Sequence, residues 1–354
     1  MTRRAGIVGL GLIGGSVGMA LRERGWHVIG ADHDPQACAD AIEMEAIDEV
    51  GDVAASDIVF VATPVGSIVP VVRDLLDRGA PLVTDVGSVK APVTAGVDDQ
   101  RFVAGHPMAG NEHSGVRGAR GDLFHGAVWV LTPGEHTADS SYATVRSVVA
   151  DLGADVVAIE AGAHDQLVAV VSHVPHLTAV SLMALADERA TEQRPLLRLA
   201  AGGFRDMTRI AAGQPGIWLD ICRENSAAIT SVLDQLIADL TRVREQVVSD
   251  DRPGLLETLD RARRARLSLP MGVPRDSALA EVRVGIADQP GSLARITRLA
   301  TDIDVNIYDL EIAHSVEGQG GMLIMIVPAS TGERLVGALI ASGFGPSIRP
   351  LESE

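Results

Sequence analysis

Residues Arg4 to Glu23 read RAGIVGLGLIGGSVGMALRE: a short β-rich run, glycines at 9, 11 and 14, then Ile13, Val17, Ala20 and Leu21 at helical spacing. A strand that turns through Gly-x-Gly-x-x-Gly into a helix is the signature of a dinucleotide-binding βα unit. Gly9 permits the tight turn, Gly11 lets the backbone approach a pyrophosphate, and Gly14 allows close helix packing. The helix N-terminus then offers unpaired N–H groups and a positive dipole end. The second strand ends in Gly30-Ala31-Asp32, roughly 20 residues past the first glycine, where an acid meets the adenosine ribose hydroxyls. Asp32 would repel the 2′-phosphate of NADP, and neither His33 nor Asp34 offsets that repulsion, so the pattern predicts NAD. Leu12 and Ile13 at the helix start, with Thr63 and Pro64 after a later strand, complete the expected cofactor contacts.

Outward from this unit, β-rich runs recur to about Pro133: WHVIGAD, DIVFVAT, PLVTDV, RFVAG and AVWVLT. Helical patterns such as Ile68, Val71, Val72, Leu75, Leu76 separate them, as in a doubly wound α/β sheet. A further helix and strand are expected between Tyr142 and Ile159. Past Ala163 the apolar periodicity is helical only, ending in a long stripe from Ile217 through Leu233 and Leu240 to Val247 that needs other helices to cover it. Residues Ser268 to Ser277, SLPMGVPRDS, read as a linker. The remainder reads βαββαβ, a small ferredoxin-like module: LAEVRVGIA, a helix from Pro290, NIYDLEIAHSV, GMLIMIV, a helix over Gly332 to Ser342, and a strand near Ile348. The expected domains are a Rossmann domain at 1–163, a helical substrate and dimerisation domain at 164–270, and the ferredoxin-like module at 278–354. A homodimer is expected.

Composition narrows the function. A formal net charge of −17 repels phosphate backbones and anionic lipid, and 3% aromatic residues leave little for base stacking. Neither a nucleic-acid nor a membrane role is expected. Two cysteines, Cys38 and Cys222, are too few for a disulfide framework or a zinc site and suit a reducing cytoplasm. No run approaches the ~20 apolar residues of a membrane span by inspection of the sequence. The ligand is expected to be a small molecule.

Chemistry is sought just past the strand ends, where doubly wound folds bind ligands. PLVTDV runs into Gly87-Ser88-Val89-Lys90, and RFVAG into His106-Pro107-Met108-Ala109-Gly110-Asn111-Glu112. An alcohol dehydrogenase needs a base for the hydroxyl proton, and His106, with an ordinary pKa of ~6.5, suits that role while Ser88 orients the hydroxyl. In the helical region His164-Asp165 precedes Ser172-His173-Val174-Pro175-His176; His173 and His176 can share a helix face as a metal pair or as hydrogen-bonding donors. Donors are favoured, because hydride transfer with a histidine base needs no metal. Arg205, Asp206 and Arg209 sit in the stretch GGFRDMTR, where an arginine fork is a natural clamp for a carboxylate.

These blocks, GLGLIGGS, TDVGSVK, GHPMAGNEHSG, HD, VSHVPH and GGFRDMTRIA in this order, resemble the prephenate dehydrogenase family from Gly6 to about Leu267. The resemblance implies oxidative decarboxylation of prephenate to 4-hydroxyphenylpyruvate with reduction of NAD, or, in the related arogenate dehydrogenases, direct formation of tyrosine. It implies His106 as the base, Ser88 as its hydroxyl-binding partner, Arg209 as the carboxylate clamp and His176 beside it. Glu112, His164, His173 and Asp206 match positions that line or gate the family's site. The C-terminal module resembles an ACT domain. That resemblance implies an amino-acid effector, tyrosine before phenylalanine, at Asp288, Pro290, Gly291, Ser292 and Leu293, with Asn306 and Ile307 beginning the second strand. Two rivals are weighed: a β-hydroxyacid dehydrogenase, which needs a catalytic lysine in its helical domain where this chain has only Lys90 in the Rossmann part, and a non-catalytic sensor of NAD and amino acid.

Overall fold

The computed structural model describes residues 2–110, 115–192, 196–268, 279–287, 289–314 and 320–351. Two compact units emerge, Met1–Arg244 and Glu245–Glu354.

In the first unit, strands and helices alternate: β1 (Arg4–Val8), α1 (Leu12–Glu23), β2 (His27–Ala31), α2 (Pro35–Glu43), β3 (Glu49–Val50), β4 (Ile58–Val61), α3 (Val65–Asp77), β5 (Val83–Asp85), α4 (Ala91–Gly96), β6 (Phe102–Pro107), β7 (Val128–Thr132), α5 (Asp139–Asp151) and β8 (Asp155–Ala158). The strands form one sheet of order β3-β2-β1-β4-β5-β6-β7-β8. Neighbours are parallel except β7 on β6, where His106 pairs with Val130. Period-two alternation of side chains explains the two-sided core. On β4, Ile58 and Phe60 join the apolar cluster under α1 and α5, while Val59 and Val61 join the one under α3. The strand order reverses between β1 and β4, which opens a crevice beyond their carboxyl ends, at Gly9 and at Ala62-Thr63.

The helical part of this unit begins with α6 (Ala161–Val168), started by Glu160, whose carboxylate accepts from the Gly162 and Ala163 amides at 2.8 and 2.7 Å. A π-helical turn over Ala169–His173 joins it to α7 (Val174–Glu192). One expectation needs correcting. By length and composition alone the helix from Ala161 to Ala190 could cross a membrane. It escaped the sequence reading because histidines and an aspartate interrupt its apolar runs, and those residues, His164, Asp165 and His173, are buried inside the unit.

Beyond it lie α8 (Gly202–Thr208), α9 (Pro215–Glu224) and α10 (Ser226–Val248), the last crossing into the second unit. The single long stripe read from Ile217 to Val247 is therefore two helices. The break is Asn225, whose side-chain amide turns inward to donate to the Asp165 carbonyl at 2.8 Å.

The second unit holds α11 (Arg252–Leu267) and then β9 (Leu279–Ala287), α12 (Ser292–Asp302), β10 (Asp309–His314), β11 (Gly320–Pro328), α13 (Ala329–Ala341) and β12 (Pro346–Leu351). Its antiparallel sheet has the order β10-β11-β9-β12, so the βαββαβ reading of the chain is realised. Val282 and Val284 of β9, Leu323 and Met325 of β11, Ile296 of α12 and Leu335 of α13 share its core. Asn306 and Ile307 do not begin a strand; β10 starts at Asp309, and the Tyr308 amide just before it donates to the Ile326 carbonyl of β11 at 2.8 Å. Of the expected linker, residues 269–277 lie outside the described residues, as does Asp288.

Candidate active site

The crevice at the strand ends is a cavity of about 660 Å³ lined by both halves of the first unit. Gly11, Leu12, Ile13, Thr63, Pro64, Ser88 and His106 come from the sheet side. His176, Arg209 and Trp218 come from the helical side. Seven of the expected active-site residues are not in that lining. Gly9, Gly14 and Asp32 build the turn below it, His164 and His173 are buried behind it, and Glu112 is outside the described residues. Asp206 is exposed on α8 and does not line the cavity, and Asp165, not singled out from the sequence, is buried next to His164.

The cofactor end is built largely of backbone. Gly9 has φ +94°, and a Cβ there would lie 2.5 Å from the Ala62 carbonyl oxygen, so no other residue fits. A Cβ on Gly14 would strike the Gly9 carbonyl oxygen, whereas one on Gly11 would meet nothing and project into the open crevice. Helix α1 has no side-chain cap, which leaves its first N–H groups for a ligand. Asp32 is oriented by the Leu10 amide on Oδ2 at 2.7 Å and the Asp34 amide on Oδ1 at 2.9 Å. The Thr63 hydroxyl is buried without a partner in the lining of the crevice. A buried hydroxyl costs free energy unless something bonds it, and a dinucleotide laid across Gly11 and Thr63 supplies that something. The residues present fit NAD.

Beneath the reacting end lies a buried ion pair. The Lys90 ammonium contacts the Asp85 carboxylate and donates to the Gly105 carbonyl at 2.7 Å, both side chains being fully buried. Asp85 also accepts from the Gly87 amide at 2.8 Å and the Gly105 amide at 3.1 Å. Burial pulls the Lys90 ammonium below the ordinary lysine range, against the opposing pull of Asp85 and Asp165. This pair ties the end of β5 to β6 on either side of Ser88 and His106. The β-hydroxyacid dehydrogenase reading lacks a lysine in the helical part, and Lys90 of the Rossmann part is spent on this buried pair.

His106 Nδ1 lies 2.9 Å from His164 Nε2, and His164 Nδ1 lies 2.8 Å from Asp165 Oδ1. Burial, then the charges of His164, Lys90 and His173, hold the His106 imidazole well below its ordinary pKa. Burial brings His173 down to about 4, and it also lowers His176. All three imidazoles are therefore neutral near pH 7, when they accept or donate single hydrogen bonds and carry no charge. His173 and His176 do share a side of the helix: both meet Trp218, His173 edge-on with centroids 6.1 Å apart and His176 stacked at 3.6 Å. Arg209 lines the cavity and makes no ion pair among the described residues.

Comparison with known proteins places this geometry. A model of the prephenate dehydrogenase nucleotide-binding domain matches residues 17–158, and one of the prephenate dehydrogenase dimerization domain matches 160–261. Prephenate dehydrogenase of Bacillus subtilis is 32% identical over 90% of this chain and 90% of its own. The crystal structure of prephenate dehydrogenase from A. aeolicus in complex with hydroxyphenyl propionate and NAD+ is similar with a TM-score of 0.71 and 30% identity, over 76% of this chain and 99% of that one. Synechocystis arogenate dehydrogenase is similar with a TM-score of 0.64 and 32% identity, over 74% of this chain and 98% of its own.

Proposed function

The chain belongs to the prephenate dehydrogenase family and is an NAD-dependent dehydrogenase, and from that premise we propose that it converts prephenate to 4-hydroxyphenylpyruvate and CO2. The observation that carries this reading is the convergence in one cavity of a neutral histidine and a serine from strand ends with an arginine from the helical side. Arg209 holds a substrate carboxylate, with His176 beside it on Trp218. Ser88 orients the ring C4 hydroxyl toward His106, which takes its proton. NAD, held by Gly9, Gly11, Leu12, Ile13, Gly14, Asp32, Thr63 and Pro64, supplies the hydride acceptor. Breaking the C4–H and C1–carboxylate bonds makes an aromatic ring, so the protein has chiefly to position and deprotonate.

Arogenate is the competing substrate, favoured by the likeness to the Synechocystis enzyme. Its amine needs an anion in the cavity. Asp206 is outside the lining, and the carboxylate among the described lining residues, Asp220, is 3.4 Å from Arg223 and already engaged. Prephenate therefore ranks first. Purified protein with NAD and prephenate is expected to raise absorbance at 340 nm, with a smaller rise for arogenate and for NADP. Silence with both substrates defeats the proposal.

The chain reads best as three domains at 1–163, 164–270 and 278–354, working in the cytoplasm as a homodimer. Exposed Ile237, Leu240, Val247 and Val248 on α10 support dimerisation through that helix. The module at the C-terminus is read as an ACT domain. Gly291, in the left-handed conformation at φ +90°, starts α12, so Gly291 and Leu293 present N–H groups to an amino-acid carboxylate, with Pro290 and Ser292 alongside them. Asp288, Asn306 and Ile307 complete that expected loop. Tyrosine, ahead of phenylalanine, is expected to inhibit the full chain but not a chain ending near Leu269. The A. aeolicus relative matches only 76% of this chain with 99% of its own, which supports folding of the shorter form. Equal inhibition of both would move the effector to the active site.

A further inference from the structure

The buried groups behind the cavity form a line, and its direction is fixed by what each member can donate. Asp165 Oδ2 accepts from the Ala91 amide at 2.8 Å, and Oδ1 accepts from the Lys90 amide at 2.7 Å. A carboxylate that receives N–H groups on both oxygens is an acceptor, so the proton in its 2.8 Å contact with His164 sits on His164 Nδ1. A neutral imidazole carries one N–H, which leaves His164 Nε2 as an acceptor. His164 Nε2 faces His106 Nδ1 at 2.9 Å, so the single proton of His106 sits on Nδ1. Its Nε2 is then a bare lone pair, and it is the nitrogen left for the cavity that His106 lines.

We propose that His164, oriented by Asp165, is a positioning residue that fixes the tautomer of His106 and so presents the Nε2 lone pair to the substrate. The proposal rests on the reading of His106 as the base. His164 is 1% and Asp165 5% exposed, so water cannot stand in for either link. Asn225 braces the assembly from the helical side: its Nδ2 donates to the Asp165 carbonyl and lies 3.1 Å from His173 Nδ1. An amide nitrogen only donates, so His173 accepts at Nδ1 and is itself held in the opposite tautomer, protonated on Nε2. One aspartate and one asparagine thus set two neighbouring histidines in different states. The charged and titratable groups around His106 are His164, His173, Lys90 with its partner Asp85, and Asp165. When His106 takes the hydroxyl proton, the O–H bond of the substrate breaks, an N–H bond forms at Nε2, and the resulting imidazolium keeps its Nδ1–H on His164.

The test uses the full chain with NAD bound and histidine labelled with nitrogen-15, whose ring shifts report which nitrogen carries the proton. In the unaltered protein both His106 and His164 are expected as Nδ1–H. His164→Gln keeps an acceptor oxygen for His106, so the tautomer and most of the turnover should survive. His164→Phe removes the acceptor, so His106 should change to Nε2–H and kcat should fall about 10²-fold or more with KM little changed, as wrong-tautomer variants do. A role in packing alone predicts the opposite order, since phenylalanine is the better filler of an apolar gap. His106 found as Nε2–H in the unaltered protein overturns the proposal, and so does equal loss in both variants without a change of tautomer. A tautomer that changes in His164→Phe while kcat holds steady sinks the reading of His106 as the base and, with it, the catalytic value of the positioning; the hydrogen-bond assignment itself then stands.

Discussion

His106→Asn is expected to lower kcat by about 10²- to 10⁴-fold while NAD affinity changes little. The asparagine keeps a polar side chain of similar reach but offers no basic nitrogen, so the hydroxyl proton has no acceptor as hydride departs. Cofactor contacts should be spared, because those proposed fall to Gly9, Gly11 and Thr63 and to Asp32 on its own backbone donors. The pH dependence sharpens the assignment. A base works in its neutral form, and burial together with His164, Lys90 and His173 depresses the His106 pKa well below its ordinary value. A depressed pKa keeps the imidazole neutral further into acid, so the acidic fall of kcat/KM should come below pH ~6.5, the midpoint of an unperturbed histidine. The profile is read from initial rates of NADH formation with prephenate subsaturating. A fall centred at or above the ordinary histidine value would assign the base to another group.

The parts legible in the sequence are those with a local rule. The turn at Gly9, Gly11 and Gly14 and the acid at Asp32 obey backbone sterics and charge, and they appear where the spacing puts them. Periodicity gave the major strands and the βαββαβ order of the last module because each has one clear apolar face. It passed over α2 and β3. Helix α2 buries only Cys38 and Ala41, too few to mark an apolar face, yet its start carried a readable cap: Asp34 accepts from the Gln36 amide and Pro35 opens the helix. β3 is two residues long and exposed, too short for any pattern.

The site shows the same division. Ser88 and His106 follow strands, so the rule that ligands lie beyond strand ends found them. Asp165, Asn225 and Trp218 were missed because each is tied to a partner far away in sequence, and Asp85 because its pairing with Lys90 matters only once both are seen to be buried. His173 and His176 were grouped by helical spacing, but what unites them is Trp218, which spacing alone does not reveal. The asparagine that breaks the long helical stripe at position 225 had a residue-level cue in its polarity, and its reason lies 60 residues away on Asp165.

The largest expected effect on stability comes from Lys90→Met, which should cost about 3–5 kcal/mol, the usual penalty for removing one partner of a buried ion pair. The methionine matches the lysine stem in length, so no large cavity opens. What is lost is the countercharge of Asp85 and the hydrogen bond to the Gly105 carbonyl, in a place with no access for water. Asp85 would keep only the Gly87 and Gly105 amides. The fall should appear as a lower midpoint of urea unfolding with an unchanged slope. Lys90→Met combined with Asp85→Asn should recover part of the loss, because the neutral amide no longer leaves a charge uncompensated and still accepts one N–H. By contrast, loss of the exposed Arg78–Asp74 pair should move the midpoint little. If Lys90→Met matched that surface variant, the pair would not be the clamp described above. Because Asp85 and Lys90 hold the backbone at Gly87 and Gly105, one residue before Ser88 and His106 respectively, any double variant that refolds should still lose kcat more than it loses NAD affinity. The stability of this pair and the geometry of the reacting residues are set by the same three backbone contacts, so neither can be relaxed without the other.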